Sequence, residues 1–278
     1  MAEIKIVAGV NFSQCSTNAL NFALSLYQNH IIHLYLISVI PPVIEHKSSY
    51  DEDFASVYTH NSQLINSLKN SIISNNKNSS ISVSTEIITG YPEEVMTLRS
   101  REIKPFLVVI GSSLKPNTLA ELLGSLTSDI IKKSSAPILT VPTDTNYPTK
   151  ALSNVLLITD FRSKSDTLID HIKPISITDN LTIHCVHFCS NKPDKFDNER
   201  LITWKKQLSL AYPQINLICS TLVGKNIQAE IQKYLSKNSI EMIAISRKKH
   251  HAISRFFHPD ITKKLLFNTK LPVLVFNT

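Results

Sequence analysis

The sequence contains the same series of segments twice, and this repeat constrains the fold more than any other feature. Five short blocks recur in the same order in the two halves of the 278 residues. Five matches in one order indicate duplication of a single domain, because chance similarity would not preserve the order. The matched blocks are 5–13 with 154–162, 32–36 with 183–187, 90–95 with 224–229, 106–110 with 241–245 and 136–141 with 271–276.

The spacing between matched residues shortens along the chain. Asn11 and Asp160 are 149 residues apart, whereas Pro137 and Pro272 are 135 residues apart. The first copy is therefore about 14 residues longer, and its extra residues lie mostly between 40 and 90. The segment 143–153 is polar and rich in turn-forming residues, which is typical of a linker. We predict two domains, 1–145 and 152–278.

Each copy alternates apolar runs of strand length with segments of helical periodicity. Leu20, Ala23, Leu24 and Tyr27 follow the i, i+3, i+4, i+7 pattern of an amphipathic helix. Pro92, followed by two glutamates, is typical of the first turn of another helix. Such alternation favours α/β domains, here two tandem doubly wound parallel-sheet domains of Rossmann-like type. In the first copy the predicted strands are 4–10, 31–40, 80–88, 106–110 and 137–142.

Composition favours a soluble protein of a reducing compartment. The four cysteines form no CxxC pair, which argues against a disulfide framework. No run reaches the roughly 18 apolar residues that a membrane-spanning helix needs, and the start of the chain lacks the pattern of a secretory signal. We expect a cytoplasmic protein that does not insert into membranes.

The formal net charge is +7, and the one local concentration of basic residues is 247–251, which we call the basic loop. A basic protein can bind polyanions. However, neither interleaved aromatic residues nor zinc-finger spacing accompanies these residues, so nucleic acid is not an expected partner. The basic loop is expected to be a solvated surface segment or a site for another anion.

Polar and small residues stand where a parallel sheet would bind a ligand. Open parallel sheets bind ligands beyond the carboxyl ends of their strands, where the strand order reverses. A glycine there lets a phosphate approach the backbone closely, and a Gly-Ser-x-Thr segment near a helix start adds N–H groups and two hydroxyls. The candidate site residues of the first copy are Asn11, Val39, Gly111, Gly124, Ser125 and Thr127.

The segment after the fourth predicted strand resembles the ATP-binding signature G-x2-G-x9-G-[ST] of universal stress proteins. Gly111 and the Gly124-Ser125 pair fall in register with it, whereas Leu114 stands at the second glycine. The family's V-D-x-S pattern resembles residues 10–13. Its closing C-P-V-L-V-V strand resembles 136–141 and 271–276. The resemblance spans nearly the whole chain, with one family domain in each half.

This resemblance implies that the first domain binds an adenine nucleotide, either ATP or AMP. Asn11 and Val39 would contact ribose and adenine, while the glycine, serine and threonine positions of the candidate site would hold the phosphates. It also implies that the two domains pair as a pseudo-dimer through their last strands, 137–141 and 272–276. A homodimer of whole chains is a further expectation.

Several residues depart from the family pattern. In the first copy, Asn11 replaces the family aspartate and loses its charge, and Leu114 adds bulk where the backbone should approach a phosphate. In the second copy, Asp160 keeps the aspartate, but Ser246 replaces the first glycine and 258–259 reads His-Pro in place of Gly-Ser. Proline removes a backbone donor. We predict a partly preserved nucleotide site in the first domain and a degenerate one in the second.

The remaining histidines and cysteines are expected to be structural. His33 and His184 stand at matching places in the second strand of each copy, as residues of the fold rather than ligands. Cys185, His187 and Cys189 alternate along one strand and share a face, but neighbours on one strand diverge poorly for tetrahedral zinc. We predict no metal site, and cysteines that pack as small buried hydrophobes.

No motif of an efficient enzyme is present, since G-x-S-x-G, H-E-x-x-H and a complete Walker motif are all missing. Slow ATP hydrolysis stays compatible with the resemblance. The leading hypothesis is a non-catalytic stress-response protein whose first domain binds ATP or AMP as a regulatory signal. The alternatives are a nucleotide-free interaction scaffold with a protein partner, and a sensor of another anion or a metal through the basic loop.

Overall fold

The computed structural model divides the chain into two compact units, Met1–Thr143 and Asp144–Thr278. Each unit is described by itself. The structure describes residues 3–42, 50–76, 80–112, 125–145, 152–159, 166–175, 180–193, 195–247 and 269–277.

The N-terminal unit is a parallel sheet with helices in the crossover connections. Its strand order is β3-β2-β1-β4-β5, and every neighbouring pair is parallel. The strands match the predicted ranges to within two residues at each end, and helices lie between them as predicted. They are β1 (Glu3–Gly9), α1 (Gln14–Leu26), β2 (Ile31–Ile40), α2 (Tyr50–Asn75), β3 (Ile81–Thr89), α3 (Pro92–Ile103), β4 (Leu107–Ser112), α4 (Ser125–Lys133) and β5 (Ile138–Pro142).

The C-terminal unit repeats this topology. Its strand order, β8-β7-β6-β9-β10, is the order of the first unit with each strand replaced by its repeat, and its pairs are also parallel. The predicted fold class is therefore confirmed. The elements are β6 (Asn154–Ile158), α5 (Asp166–Ile172), a 3-10 turn (Lys173–Ile175), β7 (Thr182–Cys189), α6 (Lys195–Ala211), β8 (Asn216–Val223), α7 (Ile227–Lys237), β9 (Met242–Arg247) and β10 (Val273–Asn277).

Apolar runs make the central strands of each unit the core. Ile6, Val7 and Ala8 of β1 are all buried, as expected for a strand covered by helices on both faces. Helix α1 packs its predicted apolar stripe inward, and Tyr27 just beyond its end is fully buried with its ring edge-on to Phe106, 5.7 Å between centroids. The burial pattern therefore follows directly from the periodicity of the sequence.

Backbone hydrogen bonds at the strand ends recur in both units and fix the structural equivalence of the repeats. Four such bonds of the N-terminal unit have counterparts in the C-terminal unit, and all eight bonds are between 2.9 and 3.0 Å long. The pairs are Val10 N to Ile37 O with Thr159 N to Val186 O, Phe106 N to Lys5 O with Glu241 N to Asn154 O, Val108 N to Pro137 O with Ile243 N to Pro272 O, and Gly90 N to Ile40 O with Gly224 N to Cys189 O.

The predicted equivalence of His33 and His184 is wrong. Strand pairing sets Lys5 opposite His33 and its repeat Asn154 opposite Thr182, so His33 corresponds to Thr182 and His184 lies two residues further along. Because side chains alternate with a period of two, a shift of two residues keeps the same face and the apolar pattern matches equally well. The sequence comparison could not detect this shift.

Both histidines nevertheless make structural contacts, as predicted. His33 links β2 to its two neighbouring strands, with Nδ1 2.7 Å from Ser82 Oγ of β3 and Nε2 3.0 Å from Glu3 Oε1 of β1. His184 is buried, with Nδ1 2.9 Å from Tyr234 Oη and Nε2 3.3 Å from Asn154 Oδ1. Each ring thus ties neighbouring elements together.

Candidate functional site

Three of the predicted site positions lie within one residue of the same level at the ends of three adjacent strands of the N-terminal unit. Ala8 of β1 is paired with Leu36 of β2 on one side and with Val109 of β4 on the other. Three residues beyond these partners the chain reaches Asn11, Val39 and Ser112, the residue after Gly111. The strand order reverses between β1 and β4. These residues therefore border the switch point where open α/β sheets bind ligands.

The turn between β1 and α1 is built by side-chain hydrogen bonds. The exposed Asn11 uses Oδ1 to accept from Ser13 N at 3.2 Å and from Ser13 Oγ at 2.6 Å. Ser13 is the N-cap of α1, and its Oγ accepts from Ser16 N at 3.3 Å. Within the described residues, nothing accepts a hydrogen bond from Asn11 Nδ2. Asn11 thus both shapes the turn and presents a donor at the switch point.

Phe12 adopts a left-handed backbone conformation, with φ of 60°. This region is sterically unfavourable for a bulky L residue, and such strained residues concentrate at functional sites. Only one other non-glycine residue of the described chain, Lys104 at the C-cap of α3, has positive φ. Sequence reasoning missed this feature, because phenylalanine carries no signal for a left-handed turn.

Gly111 is required by packing as well as by any ligand. A Cβ atom at this position would lie 2.6 Å from Cys15 O and 2.7 Å from Cys15 Sγ, so the end of β4 rests against the first turn of α1. Burial raises the pKa of the Cys15 thiol, and a hydrogen bond with Thr143 partly offsets this. The thiol next to the switch point is therefore neutral at physiological pH.

The rest of the predicted site lies along α4. Ser125 and Thr127 belong to the first turns of the described helix. Gly124 and Leu114 fall outside the described residues, so the geometry of the phosphate-binding loop stays a prediction. Val39, at the end of β2, is half-buried and pairs with Ile88 of β3.

The C-terminal unit has a different residue at the matching strand end. Ser246 of β9 pairs with Phe276 of β10, as Gly111 of β4 pairs with Val141 of β5, and Ser246 is buried. Its side chain thus fills space at the place where the N-terminal unit has a glycine. Asp160, the His-Pro pair at 258–259 and residues 248–251 of the basic loop lie outside the described residues.

The described cysteines and histidines form no group of three that could hold a metal ion. Cys185 and Cys189 are buried on one face of β7, as the packing interpretation predicted, and His187 between them has Nδ1 3.1 Å from Thr159 O. The sequence analysis missed a different pairing, since Cys185 lies directly opposite Cys219 of β8. Strand register alone brings these two residues together.

Among the described helices, none is long and apolar enough to span a bilayer.

The chain is similar in structure to several proteins whose structures have been solved. A universal stress protein of Archaeoglobus fulgidus superposes with a TM-score of 0.76 at 14% identity, covering 98% of both chains. A Pseudomonas aeruginosa protein described as a universal stress protein gives 0.62 at 14% identity, covering 99% of this chain and 92% of the other. The cytoplasmic domain of a prokaryotic cation chloride cotransporter gives 0.54 at 12% identity, covering 98% and 95%. A sequence search of curated proteins gives no match.

Two repeats with one strand order and superposition over nearly the full length define a tandem Rossmann-like α/β protein. At such low identity, the solved structures show the fold alone. The sequence itself goes further, because residues 4–142, half of the chain, match the universal stress protein family. The chain belongs to this family.

Proposed function

We propose that this protein is a non-catalytic stress-response protein whose N-terminal unit binds ATP or AMP as a regulatory signal. The observation that carries the proposal is the alignment of Val39, Asn11 and Gly111 at the ends of three adjacent strands that flank the switch point. Family membership of residues 4–142 supports it independently.

Each residue has a role that its position suits. Asn11 is exposed and has a side-chain nitrogen free to donate to a ribose hydroxyl, while its oxygen holds the turn through Ser13. Val39 is half-buried and offers apolar surface for an adenine ring. The backbone at Gly111 and the first turn of α4, with Ser125 and Thr127, would hold the phosphates.

The C-terminal unit would not bind nucleotide in the same way. Buried Ser246 occupies the place of Gly111, and proline follows histidine where the family signature has Gly-Ser. We propose that this unit serves instead as the pairing partner of the first, through the last strand of each repeat. Pairing of whole chains into a homodimer is a further part of the proposal.

Calorimetric titration of ATP, ADP and AMP into the nucleotide-stripped protein tests the proposal. We expect saturable binding at about one site per chain, and its loss in Gly124→Trp, which fills the phosphate-binding loop. Asn11→Asp restores the family aspartate, which can accept a hydrogen bond from a ribose hydroxyl. This variant exchanges the amide donor for a charged acceptor and should lower Kd by roughly fivefold, because a hydrogen bond to a charged group is worth about 1 kcal/mol more than a neutral one.

Asp160→Asn is the matched control, because position 160 is the repeat of position 11 in the C-terminal unit. It should leave Kd unchanged if the site lies in the N-terminal unit. Absence of binding at millimolar nucleotide would refute nucleotide sensing and leave the interaction scaffold. If Asp160→Asn abolished binding and Gly124→Trp did not, the site would lie in the C-terminal unit and the proposal would be wrong.

A further inference from the structure

Cys185 and Cys219 are direct partners in the C-terminal sheet. Cys185 of β7 and Cys219 of β8 face each other in the parallel register, with Val186 opposite Ser220 as the next pair. Neighbouring strands lie about 4.8 Å apart, which falls within the Cα separation of about 4.4–6.8 Å that a disulfide can span. The side chains of paired residues point to the same face of the sheet, so the two thiols are neighbours that influence each other's ionisation.

The two thiols differ in access to solvent. Cys185 is completely buried in the unit's core, whereas Cys219 is half-buried. Strand β8 is the last strand in the order of its unit, so another described strand covers only one of its two edges. A small polar oxidant can therefore reach Cys219. Cys185 is shielded from solvent, but its sulfur lies next to Cys219.

The charges around the pair favour a reactive Cys219. The neighbouring Cys185 thiol and, to a smaller extent, the ammonium group of Lys205 on α6 lower the pKa of Cys219, although burial opposes them. Burial raises the pKa of Cys185 well above the usual range. Tyr234 of α7 lies on the opposite face of the sheet, where its Oη is 2.9 Å from His184 Nδ1. Of the two thiols, the accessible Cys219 therefore loses its proton more readily.

We propose that Cys219 and Cys185 form a peroxide-sensitive dithiol, in which Cys219 is the site of oxidation and Cys185 resolves it into a disulfide. In the first step, the Cys219 thiolate attacks a hydroperoxide oxygen, the O–O bond breaks, and hydroxide or alkoxide leaves and takes up a proton. Sulfur loses two electrons and becomes a sulfenic acid.

In the second step, the sulfur of Cys185 attacks the sulfenic sulfur of Cys219. An S–S bond forms and water leaves with the Cys185 proton, so the complete reaction consumes one peroxide and removes two hydrogens from the protein. Thiols reverse it. This site is separate from the proposed nucleotide site, because both cysteines belong to the C-terminal unit.

Hydrogen peroxide treatment of the full chain, followed by mass spectrometry without reduction, tests the proposal. We expect an intramolecular disulfide that links the Cys185 and Cys219 peptides and that dithiothreitol reverses. Cys185→Ser should stop the reaction at a sulfenic acid on Cys219 that dimedone traps. Cys219→Ser should abolish both products. Cys15 and Cys189 serve as internal controls and should stay reduced.

Two adjacent lysines provide a matched pair of variants that leaves the cysteines intact. Lys205→Gln should slow oxidation of Cys219 by roughly two- to fivefold, since it removes the cation that stabilises the thiolate. Lys206→Gln removes an equally exposed charge next to it and should leave the rate unchanged. Melting curves verify that each variant is folded.

Three results would overturn the proposal. One is a folded wild-type protein in which no disulfide forms at peroxide concentrations that oxidise free cysteine. Another is a disulfide that maps to Cys15 or Cys189. The third is dimedone labelling of Cys185→Ser that is no greater at Cys219 than at Cys189.

Discussion

The backbone oxygen of Cys15 lies 2.6 Å from the position that a Cβ atom on Gly111 would occupy. Helix α1 and strand β4 therefore meet at a contact that only glycine permits. The same contact sets the distance between the β1–α1 turn, with Asn11, and the strand end that would face a phosphate. Packing and ligand geometry are thus coupled at a single residue.

Gly111→Ala should destabilise the N-terminal unit by about 1–3 kcal/mol, the usual cost of inserting a methyl group into a packed site. Two of the three nearest atoms belong to the backbone of Cys15 and cannot move aside. Gly9→Ala on the adjacent strand is the matched control, because its Cβ would lie 3.2 Å from Met96 Cε, the flexible end of a side chain. Hydrogen exchange of the β1 and β4 amides measures both effects. Equal protection in the two variants would contradict the close contact.

Phe12→Gly should be more stable than Phe12→Ala by about 1 kcal/mol. Both variants remove the ring, but only glycine tolerates the φ of 60° without steric cost. The comparison therefore isolates the backbone strain from the loss of apolar contacts. Denaturant titration followed by hydrogen exchange in α1 measures the difference. If alanine is as stable as glycine, then the turn is not held in the left-handed conformation.

The buried His184 should make the stability of the C-terminal unit depend on pH. Burial lowers its pKa in the folded state below the value of about 6.5 in the unfolded chain. The unfolded state then binds more protons in the interval below pH 6.5. The stability contributed by neutral His184 is present above that pH and is lost as the pH falls through the interval.

His184→Gln should consequently reduce the loss of stability between pH 7.5 and 5.5, while lowering stability at pH 7.5 because the contacts with Tyr234 and Asn154 change. Trp204, the only tryptophan, is buried in α6, and its fluorescence reports unfolding of this unit alone. Urea titrations of the wild-type protein and of His184→Gln at pH 7.5 and pH 5.5 measure the change in the free energy of unfolding. An identical pH dependence in the variant would show that His184 is not the group responsible.

Gly90→Ala and Gly224→Ala should differ although the two glycines are repeats of each other. Gly90 has φ of +155°, which L residues rarely adopt, and its Cβ would lie 2.9 Å from Val95 Cγ2 in the first turns of α3. Gly224 would mainly displace the flexible Glu230 side chain. We expect a loss of about 1–2 kcal/mol at Gly90 and less at Gly224. A loss of stability in Gly224→Ala, monitored through Trp204, that is larger than the loss in Gly90→Ala would contradict this assignment.

The positions of the strands and helices could be predicted because they depend on local periodicity. Apolar runs such as Leu107–Ile110 indicate central strands wherever they occur, and Pro92 with the glutamates after it indicates a helix start. The repeat then predicted that both halves share one topology, and the structure confirms it. Family membership also follows from residues 4–142 alone.

The fold class, the duplication and the strand ends that could meet a ligand therefore followed from the amino-acid sequence alone. Relations that depend on register and packing between distant segments became visible only in the folded chain. The two-residue offset between His33 and His184, the contact of Cys15 with Gly111 and the pairing of Cys185 with Cys219 are of this kind. Periodicity specifies which face a residue occupies, but a residue's neighbours across a sheet are set by how far one strand slides along another.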